Sequence, residues 1–241
     1  MEFVLNKENI ELAKEEVLAV VGEGKFELNG NILKINKTIK GLEKRLGLTK
    51  EIVISGQKTE VSKKGFLSRR AHLLPAGHPT SLHPKLARAL VNLTGAKSGE
   101  IVLDPFCGAG GILIEAGLIG YKVVGFDIDQ IMLKRAKINL DYVGVKDCQL
   151  KLKDATTINK HYDYIVTDLP YGRNSKLSEK DLLGLYLKFF KVLKKIRVKR
   201  AIVGLPDFVD YSKLIKKAGL KVKKEFSWYL HKSLTKKIIL I

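Results

Sequence analysis

Ile101-Val102-Leu103-Asp104-Pro105-Phe106-Cys107-Gly108-Ala109-Gly110-Gly111 reads as a short apolar strand that runs into a glycine loop. An uninterrupted apolar triplet suits a strand covered on both faces, and the glycines let the backbone turn tightly and let a ligand approach it closely. Toward the C-terminus, strand-like runs recur at 122–126, 149–152, 164–167 and 201–204, with helical stretches between most of them. Such alternation specifies a parallel, doubly wound, Rossmann-like α/β sheet. The last two runs, 222–229 and 237–240, have too few residues between them for a crossover helix. They are expected as an antiparallel hairpin that completes a mostly parallel, seven-stranded sheet.

Toward the N-terminus, Pro84 can open a helix at its first position, and Leu86, Leu90 and Leu93 continue it to Gly95. Residues 1–57 follow another pattern. A strand at 2–5 precedes an amphipathic helix at 10–21, with Leu12, Val17, Leu18 and Val21 near one face. A hairpin follows, in which Phe26 and Leu28 alternate with polar residues and Asn29-Gly30 supplies the turn. The spacing of Ile39, Leu42 and Leu46 predicts a second helix, and 52–54 closes the unit as a small α+β, ferredoxin-like domain. Residues 58–70 are polar and aperiodic and read as a linker, which leaves 71–241 for the large sheet.

In a doubly wound sheet, small molecules sit at the carboxyl ends of the strands, so the loops after the strands are where chemistry is expected. Asp104 precedes the glycine loop, where it suits a ligand carrying an ammonium group, such as the methionine end of S-adenosyl-L-methionine, better than a pyrophosphate. The cofactor-binding candidates in this loop are Asp104, Phe106, Gly108 and Gly110. Asp127 follows Gly110 by 17 residues, close to the spacing at which a carboxylate accepts from ribose hydroxyls, and Ile128 stands beside it. Asp129 suits the cap of the next helix, and Asp154 closes the third strand within reach of an adenine amino group.

The fourth strand delivers Asp168-Leu169-Pro170-Tyr171, the catalytic candidates. The lone pair of a base amine is delocalised into its ring, so the nitrogen must be pulled toward pyramidal geometry before it can attack a methyl group. Asp168 and the Leu169 carbonyl can accept from the two amine hydrogens. Pro170 fixes the backbone and removes a competing donor, and Tyr171 offers a face for a flipped-out base.

The chain has 241 residues, with 44 Lys and Arg against 25 Asp and Glu, a formal net charge of +19. Residues 1–60 hold 10 basic and 10 acidic side chains, so the whole excess falls on residues 61–241. Lys188, Lys191, Lys194, Lys195, Arg197, Lys199 and Arg200 occur with no acid among them, as a surface for a nucleic acid would. Two cysteines, Cys107 and Cys148, make neither a disulfide framework nor a zinc site, so no metal is expected, and such sparse use fits a reducing, cytoplasmic setting. Glu115 and Lys122 interrupt the best apolar run, and Glu2 stands where a signal sequence would be apolar, so neither a membrane partner nor secretion is expected.

These loops, together with the run His78-Pro79-Thr80-Ser81-Leu82-His83-Pro84-Lys85-Leu86-Ala87-Arg88-Ala89, the continuation Gly172-Arg173 and the tail His231-Lys232-Ser233-Leu234-Thr235, resemble the archaeal tRNA guanine-10 N2-methyltransferases. The resemblance covers about residues 70–241. It implies a methyltransferase sheet, S-adenosyl-L-methionine as cofactor, tRNA as the nucleic-acid partner and guanine N2 as the acceptor. It also places Thr80 and His78 beside the methionine part of the cofactor. Leu169 stands where the family motif, Asp-Pro-Pro-Tyr, has its first proline, but it keeps the backbone carbonyl. In that family a THUMP domain follows the ferredoxin-like part, whereas the 58–70 linker is too short for a domain of even ~50 residues. A separate RNA-binding protein or a second copy of the chain is therefore an expected partner. Two other readings fit the motifs: amine methylation of adenine or cytosine in ribosomal RNA or DNA, and a non-catalytic RNA-binding protein on a methyltransferase scaffold. Asp168 and Tyr171 weigh against the latter, because an idle site has no chemical need of them.

Overall fold

The computed structural model describes residues 1–22, 24–171, 179–232 and 234–241. The chain begins with β1 (Glu2–Leu5), α1 (Ile10–Val21), β2 (Phe26–Asn29), β3 (Ile32–Ile35), β4 (Thr49–Ile54) and β5 (Gln57–Glu60). These strands form an antiparallel sheet in the order β2-β3-β1-β4-β5. Asn9 caps α1 by accepting from the Leu12 N–H at 2.8 Å, and α1 lays Leu12, Ala13 and Val17 into the core.

The sequence-based elements need correction at two places here. The helix expected over Ile39, Leu42 and Leu46 is a single 3-10 turn, Leu42–Lys44. Gly41 enters that turn with φ 81, and the Gly47 and Leu48 N–H groups donate to the buried Glu16 carboxylate at 2.7 and 2.8 Å. Those donors are thereby taken from any continuing helix. The stretch expected as a linker contains β5 and then α2 (Lys63–Ser68). Ile54 pairs with Gln57 across Ser55 and Gly56, whose φ values of 49 and 81 make a two-residue left-handed turn. Every residue of β5 is exposed, so the strand carries no apolar alternation by which its sequence could announce it.

Next come α3 (Pro84–Leu93), β6 (Ile101–Asp104), α4 (Gly111–Gly117), β7 (Lys122–Asp127), α5 (Gln130–Tyr142), β8 (Cys148–Leu152), β9 (Tyr164–Asp168), α6 (Glu179–Lys195), β10 (Arg200–Pro206), α7 (Tyr211–Lys217), β11 (Lys224–His231) and β12 (Leu234–Leu240). The second sheet has seven strands in the order β11-β12-β10-β9-β6-β7-β8. Pairs among β6 to β10 are parallel, and β12 lies antiparallel between β10 and β11. The doubly wound, mostly parallel seven-stranded sheet and its closing hairpin are as the sequence predicts.

Apolar side chains cover both faces of this sheet. On one face Val102, Val123, Val166, Ile202 and Ile238 share a core with α1, α3, α4 and the N-terminal sheet, including Leu12, Val17, Leu86 and Leu90. On the other, Leu103, Ile165 and Val203 pack with Tyr186, Phe189, Phe190 and Leu193 of α6. Polar contacts reinforce the first face. Glu16 accepts from Asn92 Nδ2 of α3 at 2.7 Å, and Glu115 of α4, 1% exposed, takes Arg88 at 2.7 Å and Arg69 at 2.6 Å. Burial pushes the Glu16 carboxyl above its ordinary value, against the hydrogen bonds it accepts. Among the described residues no helix is long and apolar enough to cross a membrane.

Candidate active site

The parallel order of β6, β7 and β9 brings their last residues, Asp104, Asp127 and Asp168, to one edge of the sheet. Asp104 is 1% exposed and accepts from Thr167 Oγ1 at 2.7 Å and from the Phe106 N–H at 3.1 Å. Its carboxyl is pushed up to about 7, by burial first and then by the neighbouring Asp127 and Asp168 carboxylates. In a chain of net charge +19, this is a local concentration of negative charge, suited to a cationic ligand.

The glycine loop is held on three sides. Gly108 (φ 50) and Gly110 (φ 87) adopt the left-handed backbone that glycine alone enters freely, and a Cβ on Gly110 would meet Ala136 at 3.2 Å. The Gly108 N–H donates to Asp127 Oδ2 at 2.8 Å, so the candidate ribose acceptor also ties this loop to the end of β7. Phe106 packs edge-on against Phe189, with ring centroids 5.2 Å apart. Asn139 of α5, wholly buried, donates to the Ala76 and Ala109 carbonyls at 3.2 and 2.9 Å, which fastens the segment before His78 to the loop. Arg135 adds a bond to the Gly77 carbonyl at 3.0 Å. His78 and Thr80 bond to each other, Nδ1 to Oγ1, at 2.8 Å, and Ser81 lies beside Gly111.

Asp127 Oδ1 accepts from the Asp129 N–H at 2.9 Å, while Asp129 caps α5 through the Ile131 N–H. Ile128 is 75% exposed, an apolar side chain left in the open beside the ribose candidate. Asp154 accepts from both the N–H and the hydroxyl of Thr156, at 2.7 and 2.8 Å, and so starts a 3-10 turn at the end of β8.

Asp168 is the most heavily partnered of the three acids. Lys236 Nζ lies 2.6 Å from Oδ1 and 2.5 Å from Oδ2, and Tyr171 OH donates to Oδ1 at 3.0 Å. Leu169 buries its side chain beneath the loop and donates its N–H to the Gly204 carbonyl at 2.9 Å. The Pro170 carbonyl accepts from Tyr186 OH of α6 at 2.6 Å, which pins the motif from below. Burial pushes the Lys236 ammonium below its ordinary value, while Asp168 beside it holds it up. Burial and the adjacent Asp168 push the Tyr171 phenol well above its usual range. Gly172 and Arg173, and Ser233 of the tail, lie outside the described residues.

Four contributors escape the sequence reading: Lys236, Gly204, Asn139 and Tyr186. Lys236 alone leaves a signal, since it falls in register with Ile238 and Leu240 on a strand otherwise buried on that face. The others act through contacts between distant parts of the chain.

The end of the basic run lies away from the Asp168 loop. Because α6 returns from the end of β9 to the start of β10, Lys194 and Lys195 lie at the opposite end of the sheet from Asp168. A helix of 17 residues spans about 25 Å. Arg200 is moreover engaged with the Leu93 carbonyl at 3.2 Å, and Lys199 with Tyr164 OH at 3.1 Å.

A family model described as RMKL-like, methyltransferase domain, matches residues 72–236, a span that contains all three acids and Lys236. The chain belongs to this RMKL-like methyltransferase family. A second model, described as DNA methylase, matches residues 4–137 and stops short of Asp168. Among curated relatives of this methyltransferase, the tRNA (guanine(10)-N2)-dimethyltransferase of Methanothermobacter thermautotrophicus is 38% identical over 185 residues, 75% of this chain and 55% of the relative. The protein of the same name from Pyrococcus abyssi is 40% identical over 182 residues, 73% of this chain and 54% of the relative. The chain thus spans about half the length of these relatives. In fold it resembles TrmN from Thermus thermophilus, with TM-score 0.63 and 17% identity over 99% of this chain and 98% of that one. It also resembles magnesium protoporphyrin IX methyltransferase from Synechocystis PCC 6803 with bound SAM, with TM-score 0.52 and 16% identity over 66% and 78% of the two chains.

Proposed function

We propose that this methyltransferase moves a methyl group from S-adenosyl-L-methionine to the exocyclic N2 of a guanine in tRNA. The observation that carries the reading is Asp168, fixed by Lys236, Tyr171 and the pinned Leu169-Pro170 backbone at the same sheet edge as the glycine loop. The names of the curated relatives support guanine N2 of tRNA as the acceptor.

The residues present fit the cofactor. The buried Asp104 offers negative charge to an ammonium or sulfonium, and the loop is open at Gly108, where a Cβ would meet nothing within 4 Å. In this reading Asp104, Phe106, Gly108, Gly110, His78 and Thr80 surround the methionine end. Asp127 takes the ribose hydroxyls, Ile128 covers the adenine and Asp154 accepts from its amino group. When bound, the cofactor supplies a methyl already activated by the sulfonium.

The chain's own work is orientation. Asp168 and the Leu169 carbonyl accept from the amine, draw its lone pair out of the ring and aim it, which recovers much of the entropy a chance encounter would lack. The proton freed from the methylated nitrogen passes to Asp168. Tyr171 stacks on the extruded base. The basic end of α6 holds the RNA outside the site, and a second RNA-binding protein or a second copy of the chain adds to that grip by avidity.

The test is incubation with methyl-labelled S-adenosyl-L-methionine and undermethylated tRNA, followed by mass spectrometry of the nucleosides. Label in N2-methylguanosine or its dimethyl form is expected. Label confined to adenosine or cytidine, or none in any RNA, would overturn the assignment.

A further inference from the structure

Asp168, Gly204 and Lys236 stand in a row across three strands. Gly204 of β10 pairs with Asp168 of β9, and Lys236 of β12 pairs with Pro206, two residues further along β10. Lys236 is not a neighbour of Asp168 in the sheet, because a whole strand lies between them. Its side chain reaches across that strand over Gly204. A Cβ at Gly204 would come within 2.5 Å of Asp168 Oδ1 and 3.5 Å of Lys236 Cδ. The absent side chain is therefore what lets the two charges meet. The φ of Gly204 is not in the left-handed range, so backbone conformation gives no reason for a glycine here.

A lysine side chain only 2% exposed is costly unless its charge is used or matched. Here the match is one-sided: both Asp168 oxygens face Nζ, while Asp168 itself stays 18% exposed at the edge where a base would arrive. Oδ1 accepts from Lys236 and Tyr171, whereas Oδ2 has Lys236 as its one partner among the described residues. The rotation of the carboxylate is thus fixed from behind, and Oδ2 is the oxygen with a lone pair to spare. Lys236 also lies 4.8 Å from the centroid of the Tyr171 ring, on which the base is proposed to stack.

We propose that Lys236, reaching through the space left by Gly204, is a positioning residue for methyl transfer, which turns Asp168 so that Oδ2 meets the acceptor amine and braces Tyr171 beneath the base. This rests on the reading of Asp168 as the residue that receives the amine. The residue transfers no atom. Its effect falls on the rate of the bound complex rather than on the assembly of that complex.

Lys236→Met keeps the length and apolar bulk of the stem and removes the charge; Gly204→Ala keeps the charge and closes the passage. For both, single-turnover methyl transfer from saturating S-adenosyl-L-methionine to saturating tRNA should fall at least thirtyfold. Cofactor Kd and the tRNA concentration for half-maximal rate should stay within threefold. Lys236→Arg should recover more of the rate than Lys236→Met. A merely structural ion pair predicts a lowered thermal melt for Lys236→Met, because Asp168 loses its partner, with a rate per folded molecule close to that of the unaltered chain. Should Lys236→Met fail to fold by its thermal melt, Gly204→Ala and Lys236→Gln carry the test. Variants that fold and turn over within threefold of the unaltered chain overturn this inference while leaving the proposed function standing. No transfer by the unaltered chain to any RNA overturns both.

Discussion

Asp104 should make both stability and cofactor binding depend on pH in a way that Asp104→Asn abolishes. Its carboxyl, ordinarily near 3.8, is pushed up to about 7 by burial and by the carboxylates of Asp127 and Asp168. The folded chain therefore keeps a proton that the unfolded chain gives up. The stability linked to this group is full below about pH 4 and is lost as pH rises to about 7. Some three pH units at about 1.4 kcal/mol each amount to about 4 kcal/mol. Glu16 is shifted in the same direction by its own burial, so the contribution of Asp104 is read as the difference between the unaltered chain and Asp104→Asn in urea melts at pH 4.5, 6 and 7.5. Binding responds oppositely. A cationic ligand brought to Asp104 favours the carboxylate, so S-adenosyl-L-methionine should release about one proton on binding at pH 5.5. Its Kd should tighten roughly tenfold per pH unit until about 7 and then level off. Calorimetry in buffers of different ionisation enthalpy measures that proton directly. An Asn variant with an unchanged pH slope in stability, or binding at pH 5.5 with no proton released, would refute the reasoning.

Other replacements separate the roles of the remaining residues. Asp127→Ala removes the acceptor of the Gly108 and Asp129 N–H groups together with the proposed ribose acceptor. It should weaken cofactor binding by about 1–3 kcal/mol, roughly 5- to 150-fold in calorimetry. Asp168→Ala should cost at least a factor of about 100 in single-turnover rate with cofactor Kd nearly unchanged, because Asp168 is proposed to act on the acceptor amine. Glu115→Ala leaves Arg88, 3% exposed, without its carboxylate partner. That should cost about 3–5 kcal/mol of stability, seen as a Tm lowered by roughly 6–20 °C in a thermal melt.

What was legible in the sequence follows from how local each signal is. The central strands of the large sheet announce themselves because apolar runs such as Tyr164-Ile165-Val166 are buried on both faces, and their alternation with helices fixes the parallel order. That order alone puts Asp104, Asp127 and Asp168 at one edge. The N-terminal unit is harder to read where buried polar groups override propensity. Glu16 captures the N–H groups that a second helix would use, and β5, exposed throughout, has no apolar pattern at all. The basic run was legible as composition, but its distance from Asp168 depends on the direction of α6. Lys236 and Gly204 could not be paired from sequence, since 32 residues and an intervening strand register separate them. Asn139 does its work on carbonyls at Ala76 and Ala109, contacts that only the folded chain creates.

The central claim is that the Asp168 loop receives the exocyclic amine of a guanine, and the nitrogen itself can be removed to test it. Position 10 is the one named for the curated relatives, so two tRNAs suffice, one with guanosine there and one with inosine, which lacks the 2-amino group and keeps the rest of the base. Both are incubated with methyl-labelled S-adenosyl-L-methionine under single-turnover conditions. The account predicts label at position 10 of the guanosine tRNA and none in the inosine tRNA, with comparable binding of the two. Equal labelling of both would mean that the acceptor is another atom, and would contradict it.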